Sequence, residues 1–440
     1  MASGTTGPWT DSSTDSASPT ASAVPPDEAS SASYLGWRHP KGMWGLSLVN
    51  FLLRMVTFGV YDFWGRTEVR RRLWSSIRFM GEPLVYSGTG GELFLGFLII
   101  FGVILIPIIL ITSLVFFTFG EASLVTIAFQ VLLYVALFFL VGIGIFRAQR
   151  YRLSRTSWRG IRGSLSGSSV AYGWTHFWTL LLIIPTLGWI IPWRSTKLQK
   201  IITSNTHFGD RAFQFDAQPG RLYWPFALLW FGVAALAFIG TTLVGVVAAY
   251  AKAQYGDLTL QTAEANTGKQ VVGVAFVMIL FAGYLMYLIL SAWYRARMIN
   301  HFAAGTRFEG GAFDGQVSGW GLIWVNFTNL LILSLGPLLF LVGIVALVFI
   351  ASPAGQALPI GSGPNPTSLS VASLLVPIFL ILALFAFTLF SPVTQARSMS
   401  YLIRHIRLEG DIPVEEILQS TAEQSTTGEG LAQAFDVDGF

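Results

Sequence analysis

The chain contains no cysteine. That removes disulfides, thiolate metal sites, iron–sulfur ligation and cysteine nucleophiles together. Charge is scarce as well. Asp, Glu, Lys and Arg make up 11% of the 440 residues, against roughly 25% in soluble domains. With 53% hydrophobic residues and a mean hydropathy of +0.60, a water-soluble globular enzyme is set aside. The first 33 residues are Ser, Thr, Ala and Pro with acids and no base. No basic stretch precedes an apolar one there, so that end is not a signal peptide; its composition predicts a disordered tail. Residues 413–440 are acidic and polar, and are expected to be mostly disordered beyond a short helix opened by Pro413 and running to Leu418.

Chemistry-bearing motifs are equally missing. HExxH, GxSxG, the P-loop and a GxGxxG leading into a helix do not occur. His39, His176, His207, His301 and His405 are scattered, with no ligand spacing. No nucleophile–base pair and no metal cluster stands out, so no catalytic residue, metal or cofactor is assigned and the expectation is a non-enzyme. Asp62, Glu92 and Glu121 approach the apolar segments only at their boundaries. Proton-coupled transport usually places acids at membrane depth, so a proton-driven pump is disfavoured. The glycines of GTGGE at 88–92 lack the Lys-Ser/Thr of a phosphate loop and read as a flexible hinge into the next helix.

What is present is apolar length. A bilayer-spanning helix needs about 20 mostly apolar residues. Six stretches qualify: 92–117, 123–146, 222–250, 270–293, 320–350 and 372–392. Most of the 27 Lys and Arg fall in five segments, 65–91, 147–173, 194–221, 294–319 and 393–412. Short basic loops stay in the cytoplasm, so all five face inside, and both termini with them. Two further apolar segments, 43–64 and 174–193, have basic flanks on both sides and are interrupted at Thr57-x-Gly59 and Pro185-Thr186-x-Gly188. A full crossing would put one basic loop outside. Both are therefore read as re-entrant or in-plane elements, whose irregular backbone must be satisfied by protein or water. The chain divides into a tail (1–33), a polytopic membrane domain (34–412) and an acidic tail (413–440).

The basic segments share a pattern that reads as a five-fold internal repeat. An apolar segment ends in a large residue, and a second large residue follows fifteen positions later: Trp64/Phe79, Ile143/Trp158, Trp193/Phe208, Trp293/Phe308 and Val393/Leu408. Four residues after the first member stand Arg147, Lys197, Arg297 and Arg397, with Glu68 as the exception. Two residues after the second stand Gly81, Gly160, Gly310 and Gly410, with Asp210 as the exception. Val69, Leu73 and Ile77 recur every four residues among Arg66, Arg70, Arg71 and Arg72, as in an amphipathic helix on the inner leaflet. After the basic stretch, IRFMGEPLVY, THFGDRAFQF, TRFEGGAFDG and IRLEGDIPVE each read as a short strand, a turn and another strand. Isolated hairpins are marginal in water, so these are expected to pack on one another or on the helices.

Asn50, Thr57, Gly59, Trp64 and Arg70 in the first copy, and Thr186, Leu187, Gly188, Pro192 and Trp193 in PTLGWIIPWRSTKLQK, resemble the signature of the YjgN family. That signature is an Asn-led apolar helix, Thr-Leu-Gly, an apolar-Pro-Trp, a basic helix and a Gly-turn hairpin. The first copy departs from it at Asp62-Phe63, where Pro is usual, and the last third ends in Ser334-Leu335-Gly336-Pro337 without Trp. The resemblance covers about 34–412. It implies a bacterial inner-membrane protein of unknown function, with no established activity, cofactor or catalytic residue.

The fold expected is an all-α polytopic membrane protein of about six spans and two re-entrant segments, with basic cytoplasmic helices and short β-hairpins. Two roles compete. In a transporter- or channel-like protein, Asn50, Arg54, Thr57, Gly59, Thr186 and Gly188 would line a substrate path at the broken helices. In a membrane scaffold, Arg66, Arg70, Arg147, Arg150, Lys197, Arg297 and Arg397 would hold anionic inner-leaflet lipid or a membrane or cytoplasmic protein. Nucleic acid is not an expected partner, and abundant Trp at span ends reads as an interfacial belt.

Overall fold

The computed structural model describes residues 34–256, 263–351 and 388–421. Five helical stretches are long and apolar enough to cross a bilayer: Gly90–Phe119, Leu124–Ser154, Gly220–Tyr255, Ala263–Ala304 and Gly319–Leu339. They coincide with five of the six runs. The sixth, 372–392, lies mostly outside the described residues, as do 1–33 and 422–440. Large side chains such as Phe117 (86% exposed) and Leu124 (81%) point outward from these helices. Such an apolar exterior is untenable in water and is what a bilayer requires.

The first span is α3 (Gly90–Ile100), a π-helical turn (Phe101–Leu105) and α4 (Ile106–Phe119). Pro107 has no N–H for Val103, and its ring crowds that carbonyl. The helix widens into the π turn just ahead of it. The apolar segment 43–64 is not one helix but α1 (Met43–Val56), a turn and the start of α2 (Asp62–Trp74). Segment 174–193 likewise divides between α6 (Ser169–Leu181) and α7 (Ile191–Ser204). At about 1.5 Å per residue, the 14 residues of α1 and 13 of α6 fall short of a bilayer core about 30 Å thick. The two breaks share one geometry. Phe58 and Gly59 have φ of 51° and 91°, and Leu187 and Gly188 have 50° and 87°. The Thr57 and Thr186 hydroxyls donate back to the carbonyls of Leu53 (2.7 Å) and Leu182 (2.6 Å). Left-handed backbone at two successive residues ends a helix, and glycine takes it without a Cβ clash.

The basic helices differ from the expectation in two segments. α2, α7 and α11 (Ser391–Arg404) are separate, but the bases of 147–154 and 295–304 sit on the C-terminal ends of the long helices α5 (Leu124–Ser154) and α9 (Ala263–Ala304). With no breaker after Ile143 or Trp293, the hydrogen-bond ladder simply continues. Nor does the apolar stripe of α2 face lipid. Val69 and Leu73 are buried against Met43 and Leu46 of α1 and Val393 and Ala396 of α11.

The hairpins pair with one another into an antiparallel circuit. After β1 (Leu35–Trp37) come β2 (Ile77–Phe79), β3 (Glu82–Pro83) and β4 (Val85–Tyr86), then β5 (Thr156–Trp158) and β6 (Ile161–Leu165). β7 (Thr206–Phe208), β8 (Arg211–Phe215), β9 (Thr306–Phe308), β10 (Gly311–Gly315) and β11 (Ile406–Gly410) follow. β4 to β11 pair in sequence order, and β1–β2–β3 form a second set. Only Leu84 separates β3 from β4. Tyr34 joins the other ends, donating its N–H to Leu408 O at 3.1 Å and accepting from Met80 N–H at 2.8 Å. The circuit is thus a closed ring.

The turns of four hairpins are two residues long, between paired Phe79 and Glu82, Trp158 and Ile161, Phe208 and Arg211, and Phe308 and Gly311. Two-residue hairpin turns need positive φ. The first turn residue has positive φ in all four (Met80 49°, Arg159 48°, Gly209 63°, Glu309 49°), whereas the second has it only at Gly81 and Gly160 (81° each), so the Asp210 position does not require glycine. The second members of the fifteen-residue pairs fill the ring. Phe79 meets Trp158 with ring centroids 4.9 Å apart, Trp158 meets Phe208 at 6.2 Å, and Phe208 meets Phe308 at 6.0 Å. Phe308 and Leu408 complete the cluster with Ile412 and Ile417 from the chain beyond β11. That chain makes a 3-10 turn over Val414–Glu416 in place of the expected helix. It is pinned by Asp210 N–H to Leu418 O (3.1 Å) and Gln419 Nε2 to Gly160 O (2.6 Å).

Candidate functional site

α1 and α2 meet below the turn at 57–61. Asn50 Nδ2 donates to Gly65 O at 3.3 Å, and a Cβ at Gly65 would stand 3.3 Å from Asn50 Cγ. Asp62, the first residue of α2, ion-pairs with Arg54 of α1 and accepts from Arg66 Nε at 2.8 Å. Arg54 also donates to Thr388 Oγ1, just before α11. A charge in an apolar segment is thereby neutralised by a carboxylate across the helix break, in keeping with the cost of leaving it unpaired. By position in the sequence Asp62 is only an acid at a segment boundary. The usable signal was its place eight residues after Arg54, with Thr57-x-Gly59 between.

Beside this junction lies a cavity of about 740 Å³, bounded by α1, α2, the end of α5 and α11. That volume is within the range of about 300–1,000 Å³ typical of small-molecule sites. Among the described residues, Arg54, Arg66, Arg70 and Arg152 line it and no carboxylate does. Ser47 Oγ, Asn50 Oδ1 and Arg54 Nε, on residues that line it, are themselves fully buried and have no hydrogen-bond partner among the described residues. Ser47 is 1% exposed and Asn50 7%. Buried polar groups are normally satisfied, and these three lie together where α1 meets α2.

The residues singled out from the sequence separate into different places. Asn50, Arg54, Arg66 and Arg70, drawn from both candidate sets, share the cavity. Thr57 and Gly59 form the adjoining turn, where Tyr61 N–H donates to Thr57 Oγ1 at 2.9 Å. Thr186 and Gly188 lie in the other break, whose Leu187 carbonyl accepts from Trp230 Nε1 of α8 (Gly220–Tyr255) at 2.7 Å. The first break therefore packs on α11 and the second on α8. Arg150 Nε donates to Leu165 O at 2.9 Å and clamps α5 to β6. Arg397 donates to Asn329 Oδ1 (3.2 Å) and Thr328 Oγ1 (2.8 Å) of α10 (Gly319–Ala351). Arg147, Lys197 and Arg297 are exposed, and the Arg297 guanidinium lies 5.5 Å from the Trp293 ring centre. Among the described residues, no His, Asp or Glu cluster could hold a metal ion.

Lipid-facing helices joined by interrupted apolar segments define a helical polytopic membrane protein. The chain belongs to the family described as bacterial protein of unknown function (DUF898), which matches residues 41–434. It is 27% identical over 146 residues to the inner membrane protein YjgN of Salmonella typhimurium (strain LT2), a match covering 33% of this chain and 34% of that protein. To inner membrane protein YjgN of Escherichia coli (strain K12) it is 29% identical over 153 residues, 35% of each chain. The match spans about a third of the length of these curated relatives. No solved structure matches the chain.

Proposed function

We propose that the protein is a non-enzymatic, transporter-like protein of the bacterial inner membrane whose solute site is the arginine-lined cavity at the first helix break. The observation that carries this reading is the cavity of about 740 Å³ beside the first helix break, lined by Arg54, Arg66, Ser47 and Asn50. Interrupted helices beside a binding site are a recurrent transporter device. Exposed Val56 and Phe58 at one break, and Ile184 and Leu187 at the other, favour insertion of both tips into lipid. In this reading the five basic segments are copies of one unit, the β-ring and both termini are cytoplasmic, and solute passes beside the ring. Its centre is filled by Trp158, Phe308 and Leu408.

The test is uptake of a panel of labelled organic anions and cations into proteoliposomes. Arg66→Gln and Met399→Trp, the second of which fills the cavity, should each abolish uptake of whichever anion wild type carries. Anion uptake that survives both variants would sink the reading.

A scaffold role is the second reading. It is favoured by Arg147, Lys197, Arg297 and Arg397, which stand exposed at the same position of four basic segments and suit anionic headgroups. Changing all four to Gln should strip co-purifying anionic lipid under this reading and leave uptake intact under the first.

A further inference from the structure

A second group of bases stands where α8 begins and α9 ends. These two spans run antiparallel in a fixed register. Phe226 meets Tyr294 with ring centroids 5.5 Å apart, a Cβ at Gly232 would stand 2.6 Å from Leu290 Cδ1, and one at Gly240 would stand 3.0 Å from Ile279 Cγ2. Arg221 lies five residues before Phe226, and Arg297 three after Tyr294. At 1.5 Å per residue both arginines lie beyond that contact on the same side, within about 3 Å of one level. Trp224 and Trp293 lie within two residues of the contact.

A pocket of about 410 Å³ opens at this level, lined by both arginines, both tryptophans, Asn300 and His301. Asn300 is committed to the fold, donating to Val317 O at 2.9 Å and accepting from Val317 N–H at 2.8 Å. His301 Nε2 donates to Gln218 O at 2.7 Å. The arginines are not so committed. Among the described residues, Arg221 makes no hydrogen bond or ion pair, and Arg297 only its contact with the Trp293 ring. No described carboxylate lines the pocket; Asp216 lines the neighbouring clefts instead.

Apolar side chains lead from the indoles toward the middle of the spans. Trp224 and Leu228 stand four apart on α8, and Trp293, Ile289 and Met286 stand four and three apart on α9. Such spacing keeps each set on one helix face. Trp224 is 72% exposed, and Leu228, Ile289 and Met286 are exposed as well.

We infer that this pocket seats the headgroup of an anionic phospholipid, with the phosphate at Arg221 and Arg297 and the acyl chains starting along Trp224, Leu228 and Ile289. Indoles followed outward by cations are the order of a bilayer interface, and the planar guanidinium suits a phosphate. A zwitterionic headgroup brings a cation of its own to two arginines. A soluble phosphate leaves the apolar faces uncovered. The inference is independent of the solute cavity. It deepens the scaffold reading, on which it rests for the role of Arg297, by adding Arg221 and a defined pocket.

Calorimetric titration of the full chain in dodecylmaltoside tests it, with dioctanoyl phosphatidylglycerol, dioctanoyl phosphatidylcholine and glycerophosphate as probes. Phosphatidylglycerol should bind saturably, and the other two should not. Arg221→Gln/Arg297→Gln should weaken that binding roughly thirtyfold, since each base beside an anionic lipid is worth about 1 kcal/mol. Trp224→Ala changes a largely exposed residue and should also weaken it, which guards against a merely misfolded double variant. Lys41→Gln/Arg407→Gln removes the same charge from exposed positions outside the pocket and should leave binding as it is.

Equal weakening by the two double variants, or binding unmoved by either pocket variant, would overturn the site and leave the scaffold reading standing. Glycerophosphate binding as tightly as phosphatidylglycerol would overturn the lipid as occupant, and equal binding of phosphatidylcholine would overturn the selection for an anion. No saturable phosphatidylglycerol binding at all would overturn the inference together with the scaffold reading.

Discussion

Trp158 lies edge-on to Phe79 with ring centroids 4.9 Å apart, and its indole N–H donates to the Phe79 carbonyl at 3.0 Å. One side chain thus joins the first two hairpins through both packing and a hydrogen bond, at 1% exposure. Trp158→Ala should destabilise the protein by about 3–5 kcal/mol, the usual cost of emptying a large aromatic site. Trp158→Phe keeps most of the packing and should lose only about 1 kcal/mol with the hydrogen bond. Thermal unfolding in detergent reads both, and equal midpoints for the two variants would refute the ring-core assignment.

Glu92 ties the start of the first span to the end of the second. It accepts from Arg155 at 2.9 Å and from the Tyr151 hydroxyl at 2.7 Å. Glu92→Gln preserves shape but removes the charge that Arg155, with 9% side-chain exposure, is buried against. A loss of about 1–3 kcal/mol is expected, again read from the unfolding midpoint. The neighbouring glycines are not the hinge that GTGGE suggested. Gly90 begins α3 so close to the backbone of Trp64 that a Cβ would stand 2.7 Å from Trp64 Cα. Gly91→Ala meets nothing within 4 Å and should be tolerated.

The two helix breaks make a matched pair of predictions. Gly59→Ala and Gly188→Ala force an alanine to φ near 90°, and each should cost about 1 kcal/mol or more. Gly59→Val and Gly188→Val should cost more still, because a β-branched residue tolerates that region least. Midpoints unchanged in all four variants would show that the breaks relax freely.

Absence of cysteine makes topology directly measurable. Single substitutions Ser166→Cys and Lys200→Cys flank the second broken segment, and Glu121→Cys lies in the linker between the first two spans. With a membrane-impermeant maleimide on intact cells, only Glu121→Cys should react. Different reactivity at Ser166→Cys and Lys200→Cys would mean that the segment between them crosses the bilayer.

Acid should loosen the ring at one identified place. Arg159 donates to Glu82 at 2.7 and 3.0 Å between the first two hairpins, and this hydrogen bond, reinforced by charge, holds the Glu82 carboxyl below its ordinary value. A carboxylate with a depressed native pKa stabilises the fold above its unfolded value, and that contribution is lost as pH falls through the native value. The midpoint difference between wild type and Glu82→Gln should be present at neutral pH, shrink below about pH 4.3 and shrink with added salt. A difference that grows on acidification would have the wrong sign.

Much of this protein is decided locally, and local features can be read along the chain. Apolar length set five of the spans. Thr57-x-Gly59 and Thr186-x-Gly188 set the breaks, since left-handed backbone after a Thr-capped turn is a property of those few residues. The fifteen-residue spacing, read as a shared pattern, runs to a strand side chain from the first turn of α2, α7 and α11 and from within α5 and α9.

Tertiary structure decided what lies far apart in sequence. Tyr34 closes the ring onto Leu408, 374 residues away, and Arg54 reaches Thr388 across 334. The hairpin pattern is satisfied equally by stacked hairpins and by a closed ring, because strand period fixes faces and not partners. The same holds for the cavity. Asn50, Arg70, Arg152 and Met399 carry no common motif, and only the packing of α1, α2, α5 and α11 puts their side chains around one space.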